Sequence, residues 1–246
     1  MFKDIKQVMK DSVLYGIGNV AVKLVGFILI PLYTDAEYFS TADYGLMGLL
    51  EVTSQILIAV MGLSLYSGLI RWYWDAEYRD KQKTIFFTTL LFTILTSLCI
   101  GSVLWLNVGE LSALLVQQEG YSLGGELPYI LQLLILTSML GAVVEVPQNL
   151  LRLQRKPIYY SLTNIVRLFV TLVLTIYFTI SLHRGVSGVY EAQLVGIVIQ
   201  LLMVLPLVIK NSSCRVDRRC TIQLLAYSYP LVFPAIVGSL LTVFDR

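Results

Sequence analysis

Seven long apolar stretches dominate the sequence, at about 13–33, 45–66, 85–106, 127–151, 158–180, 189–209 and 222–244. As an α-helix rising about 1.5 Å per residue, a stretch of roughly 20 residues crosses the hydrocarbon core of a bilayer. The chain of 246 residues is 57% apolar and 14% charged, too little charge to cover the surface of a soluble domain. An ordinary soluble enzyme, a disordered chain and a nucleic-acid binder are therefore excluded. The longest connections, Ile70 to Ile85 and Leu106 to Leu127, are too short to hold a folded domain. No run of alternating strands of the outer-membrane barrel kind occurs. The reading is an all-α integral membrane protein with seven spans.

Basic residues give these spans a direction. Lys3, Lys6 and Lys10 precede the first; Arg71, Arg79, Lys81 and Lys83 follow the second. Arg152, Arg155 and Lys156 follow the fourth, and Lys210, Arg215, Arg218 and Arg219 follow the sixth. Fourteen of the eighteen Lys and Arg residues thus fall on one side, and the opposite loops hold Arg184 alone. The positive-inside rule places the amino terminus and the even-numbered loops in the cytoplasm. The first stretch is full length and lacks an A-x-A-like cleavage site, so it reads as an uncleaved helix. Trp72, Tyr73 and Trp74 read as interfacial anchors, and His183, the only histidine, as a solvated loop residue. Cys99, Cys214 and Cys220 form no C-x-x-C pair and read as reduced thiols.

Orientation leaves a few charges unexplained. Lys23 and Arg167 lie about ten residues inside the first and fifth spans, near the bilayer midplane. A cation there costs roughly 3 kcal/mol, so both should face a bundle interior or a water-filled cavity. Asn19 shares a helix face with Lys23, and Tyr160, Asn164 and Thr171 share one with Arg167. Glu51 lies inside the second span with Gln55 one turn on. Glu145 lies near the end of the fourth span, ahead of Pro147, Gln148 and Asn149. Pro147 removes a backbone hydrogen bond in a polar neighbourhood, which suits a gate or a cation site. Two arrangements follow: Lys23 and Arg167 paired with Glu51 and Glu145, or a cavity that takes an anionic group. The cations and the acids differ in depth, which favours the cavity.

No catalytic constellation competes. H-E-x-x-H, a Walker loop and D-x-x-D are all absent, and the one histidine is in a loop. The reading is therefore a non-enzyme without a metal or cofactor. Glycines such as Gly16, Gly18, Gly62, Gly141 and Gly196 are scattered and read as close helix packing.

Several segments, in order and correctly spaced, resemble one family. They are SVLYGIGNVAVKLVGFILIPLYT at 12–34, ADYGLMGLLEV at 42–52, LIRWYWD at 69–75, LLRLQRKPIYYSLTNIVR at 150–167, GVSGVYEAQLVG at 185–196 and YSYPLVFPAIVGSLLTVFDR at 227–246. Together they resemble the Wzx-type O-antigen flippases, polysaccharide-biosynthesis transporters of the multidrug/oligosaccharidyl-lipid/polysaccharide (MOP) superfamily. The resemblance implies a MATE-like fold, with a six-helix N-terminal lobe over 1–210. Residues 211–246 would then be a cytoplasmic linker and the first helix of a second lobe that is incomplete, as in a truncated chain.

It also implies alternating access that carries polyprenyl-pyrophosphate-linked oligosaccharide across a bacterial or archaeal cytoplasmic membrane, for O-antigen, capsule or exopolysaccharide. Partners would be that lipid-linked substrate, the bilayer and polysaccharide polymerase or assembly proteins. Lys23 and Arg167 would meet the pyrophosphate, and Asn19, Gln55, Asn149 and Asn164 the sugar hydroxyls. Glu51 and Glu145 would gate or couple ions. Two alternatives stand beside this reading. A drug or cation antiporter of the same superfamily would favour acids at the cavity centre. A membrane polymerase or ligase would favour large outer loops rich in Arg and His, and the 107–126 loop holds neither residue type.

Overall fold

The computed structural model describes residues 27–35, 37–116, 125–213 and 215–244. It begins in helical residues 27–33 (α1). The chain continues through α2 (Thr41–Gly62), α3 (Leu65–Trp72), a 3-10 segment (Ala76–Lys81), α4 (Gln82–Leu106) and α5 (Val108–Val116). Then come α6 (Leu127–Leu153), α7 (Pro157–Ile176), α8 (Gly185–Asn211), α9 (Arg218–Ser228) and α10 (Val232–Phe244). A π-helical turn, Tyr177–Ser181, extends α7, and a 3-10 turn, Tyr229–Leu231, joins α9 to α10.

Six helices among the described residues are long and apolar enough to cross a membrane: Thr41–Gly62, Tyr78–Leu106, Leu127–Leu153, Pro157–Ser181, Gly185–Asn211 and Arg218–Gly238. They answer to six of the seven predicted spans. The first, 13–33, lies outside the described residues apart from 27–33. The chain is a multi-pass membrane protein.

Local chemistry sets several helix ends. Ser40 caps α2 in a capping box, its hydroxyl accepting from the Asp43 amide at 3.1 Å while the Asp43 carboxylate accepts from the Ser40 amide at 2.9 Å. Pro157 starts α7, at a position where a helix needs no N–H. The second span departs from its predicted extent. Instead of running to 66, α2 stops at Gly62, and Leu63 and Ser64 adopt the left-handed conformation (φ 45° and 49°) before α3 begins. The break frees the Met61 carbonyl, and the Thr96 hydroxyl on α4 donates to it at 2.7 Å. A neighbouring helix thus supplies the bond that the backbone gives up.

α6 is the central helix. It packs against α2, α3, α4, α5, α7 and α8, and 56% of its apolar window is buried, against 17% in α7. Small residues bring α2 close: Gly62 faces Ala142, Gly141 faces Ile58, and the Ser54 and Ser138 hydroxyls pair at 3.0 Å. The core has two parts. One gathers Phe39, Leu46, Leu50, Ile130, Leu134 and Tyr190. The other gathers Leu69, Tyr73, Phe86, Leu150, Leu207 and Leu224 at the end that carries the basic loops. Polar contacts tie this basic end together: Gln154 donates to Asn211 at 2.8 Å, Thr84 pairs with Ser213 at 3.2 Å, and Lys81 with Asp217 at 2.9 Å. Tyr73 is 5% exposed and Trp72 packs on Tyr227, so of the three expected aromatic anchors Trp74 alone stands out, at 62%.

Candidate functional site

A cavity of about 400 Å³ opens between α2, α3, α6 and α10. Gln55, Tyr66 and Glu145 bring polar groups to it, and Ser64 with Ala235 and Gly238 of α10 forms part of its wall. The helix break builds much of this site. Turning the chain at Leu63 and Ser64 places Ser64, and then Tyr66 of α3, against the same space that Gln55 reaches from α2. The Ser64 hydroxyl is buried with no hydrogen-bond partner among the described residues. Glu145 makes no ion pair among the described residues and follows Gly141 by one turn on α6. Glu51 lies one turn from Gln55 on α2 and within electrostatic range of Tyr33 and Tyr190.

A second polar cluster joins α7 to α8. Arg167 donates from Nη1 to Gln200 Oε1 at 3.1 Å. Gln200 donates from Nε2 to Asn164 Oδ1 at 3.1 Å, and Asn164 donates to the Tyr160 carbonyl at 2.8 Å. Arg167 has no carboxylate partner among the described residues, and the neutral amide of Gln200 holds its guanidinium. Close helix contact permits this: a Cβ at Gly196 would lie 2.2 Å from Thr171 Oγ1. Beside this cluster, Gln148 donates to Thr163 at 2.9 Å in a fully buried pair, with its own Oε1 unpartnered among the described residues.

The expected site residues thus divide. Gln55 and Glu145 meet at the cavity, with Glu51 one turn away; Asn164 and Arg167 meet on α7. Asn149 joins neither group, because its amide is buried and donates to the Glu145 carbonyl at 3.0 Å. Asn19 and Lys23 lie outside the described residues. Pairing of Arg167 with Glu145 does not occur. Ser64, Tyr66 and Gln200 are additions to the sequence reading. Of these, Gln200 had a visible signal, a lone amide inside the run VGIVIQLLMV.

Among the described residues no three His, Cys, Asp or Glu side chains converge as a metal site would require. At the basic end, the Lys81 ammonium and the Arg219 and Cys220 backbone amides hold the Asp217 carboxyl below the usual carboxylate range. At the opposite end, Glu191 accepts from both Arg184 and Tyr129, and exposed His183 stacks on Tyr38.

No family model and no curated protein matches this chain. Solved structures do. An outward-facing multidrug resistance MATE family transporter of the MOP superfamily superposes with a TM-score of 0.72 at 18% identity, covering 96% of this chain and 52% of that one. A MOP superfamily transporter from Pyrococcus furiosus gives 0.72 at 19%, covering 96% and 52%. A MATE structure in the straight conformation gives 0.73 at 19%, covering 96% and 53%. The fold is therefore MATE-like, and the chain spans about half the length of the transporters it matches.

Proposed function

We propose that this chain belongs to a carrier that moves a polyprenyl-pyrophosphate-linked oligosaccharide across the cytoplasmic membrane by alternating access, for surface-polysaccharide assembly. One observation carries the reading: Arg167, midway along a spanning helix, is held by Gln200, which Asn164 anchors in turn, and by no acid among the described residues. A guanidinium bound by neutral amides keeps its charge for a ligand, and phosphoryl oxygens match its planar donors. Lys23, predicted at the same depth, would add a second cation. The Pyrococcus furiosus transporter is described as having a binding pocket of reversed polarity that suggests a different function, and a basic midplane here is in keeping with such a reversal.

In this reading the basic end faces the cytoplasm and residues 1–210 form one lobe. Residues 211–246 are then the linker and the opening helix of the next lobe. The cavity at Gln55 and Tyr66 offers amide and hydroxyl groups to sugar, with Glu51 and Glu145 in gating or coupling roles.

A cation or drug antiporter is the second reading, and Glu145 in the cavity favours it. Translocation of lipid-linked oligosaccharide in vesicles separates the two. Lys23→Ala and Arg167→Ala should each abolish flipping at normal expression, with Glu145→Gln milder. Normal flipping in both cation variants would overturn the substrate role. Loss in Glu145→Gln alone, together with proton- or sodium-driven drug efflux, would favour the antiporter.

A further inference from the structure

We infer that Arg152 forms a second phosphoryl-anion station, at the basic end of α6 and α7, from which the anionic head of the ligand passes along α7 to Arg167. The inference rests on the reading of Arg167 as an anion site. Arg152 closes α6 and is exposed. Its guanidinium lies 4.6 Å over the Tyr160 ring and donates to the Tyr160 hydroxyl. It has no ion pair among the described residues. An arginine held by an aromatic face keeps its orientation and leaves its remaining donors free, so an arriving phosphate need not displace a carboxylate.

Tyr160 is also where the polar face of α7 starts. Tyr160, Asn164 and Arg167 follow at i, i+4 and i+7, a rise of about 10 Å along one side of the helix. Hydrogen bonds join the two ends: Arg152 to the Tyr160 hydroxyl, Asn164 to the Tyr160 carbonyl, Gln200 to Asn164, and Arg167 to Gln200. Two guanidiniums thus stand at the ends of one hydrogen-bonded chain of neutral groups. Glu145 occupies the face of α6 that Arg152 shares, seven residues back. Its carboxylate stands within electrostatic range of Arg152 without forming an ion pair with it.

The test uses the whole chain in phosphatidylcholine nanodiscs, with farnesyl diphosphate as probe and calorimetry as readout. Arg152→Ala should weaken binding about tenfold or more, the scale of a lost charged hydrogen bond. Arg152→Lys, which keeps the charge without the planar fork, should fall between, and an unchanged unfolding midpoint for it shows that the fold is kept. Parent-like binding in Arg152→Ala alongside loss in Arg167→Ala would overturn this station and leave the midplane site standing. Loss in Arg152→Ala with parent-like binding in Arg167→Ala would uphold the station and remove the midplane site. No binding by the parent chain would overturn both. Inorganic pyrophosphate bound as tightly as the farnesyl compound would support the station with a free diphosphate as its ligand. Displacement of the probe by phosphatidylglycerol in the disc would overturn it in favour of a general anionic-lipid contact.

Discussion

Gly196 shows how little room the polar cluster has. A methyl group there would meet Thr171 Oγ1 at 2.2 Å and the Arg167 carbonyl at 3.4 Å, so Gly196→Ala must push α8 from α7 or turn Thr171 away. The expected cost is about 1–3 kcal/mol. Thr171→Ala removes the nearest atom and should recover most of it. Thermal unfolding of the two single variants and the double in detergent measures this, and strictly additive losses would rule out the contact as the cause. Gln200→Leu should cost about 2 kcal/mol, because the Arg167 guanidinium then loses a charged hydrogen bond inside the membrane. Arg167 was legible in the sequence, since a cation amid an apolar run has few explanations. Its partner was not. Which amide on α8 meets it depends on the rotation and axial register of two helices, and one polar residue per helix fixes neither. Asn149 illustrates the converse: its spacing suited a sugar contact, but a short amide in a helix can also fold back on the carbonyl one turn earlier.

Six helices were legible as elements because apolar length is a coarse signal that packing does not alter. The break in the second was not, because Leu63 and Ser64 are no habitual left-handed residues and an apolar pattern runs straight through them. A non-glycine residue in that conformation costs roughly 1–2 kcal/mol, and Ser64 adds a buried hydroxyl without a described partner. Ser64→Gly removes both and should raise stability by about 1 kcal/mol, once the extra freedom glycine gives the unfolded chain is counted. Ser64→Ala keeps the backbone penalty and should gain less. Equal unfolding midpoints for the two variants would show that the left-handed turn carries no strain.

The same scale governs α9. Asp217 caps its first turn, accepting from the Arg219 amide at 3.0 Å and the Cys220 amide at 3.4 Å, and pairs with Lys81. Its carboxyl titrates below the ordinary range when folded, so its support is fully present above about pH 4 and is lost as pH falls through the lower native value. Hydrogen exchange in the first turn of α9 should therefore quicken on acidification. Asp217→Asn should exchange faster at neutral pH and lose the acid-dependent step.

For the whole molecule, direction across the membrane is the property on which the proposed function turns, because a carrier would load its cargo where that cargo is made. The fold brings the even-numbered loops together at one end through Lys81–Asp217, Gln154–Asn211 and Thr84–Ser213, the grouping expected from the positions of the basic residues. Which side that end faces is a separate matter, since a bundle packs identically in either orientation and the positive-inside bias acts during insertion. The bias here is strong, with Arg184 the lone Lys or Arg in the opposite loops, and Arg184 is paired with Glu191. Reporter fusions after Arg79, Lys156 and Arg218 should therefore be active as cytoplasmic reporters, and fusions after Glu37, Glu126 and Arg184 as outside reporters. Moving bulk charge tests the cause: replacing Arg152, Arg155 and Lys156 together should raise the share of inverted molecules, whereas Arg184→Ala should not. Inverted signals at several sites in the parent chain would turn the basic end outward. Arg152 would then face away from the compartment in which lipid-linked intermediates are built, and the proposed path from Arg152 to Arg167 would have to run as an exit.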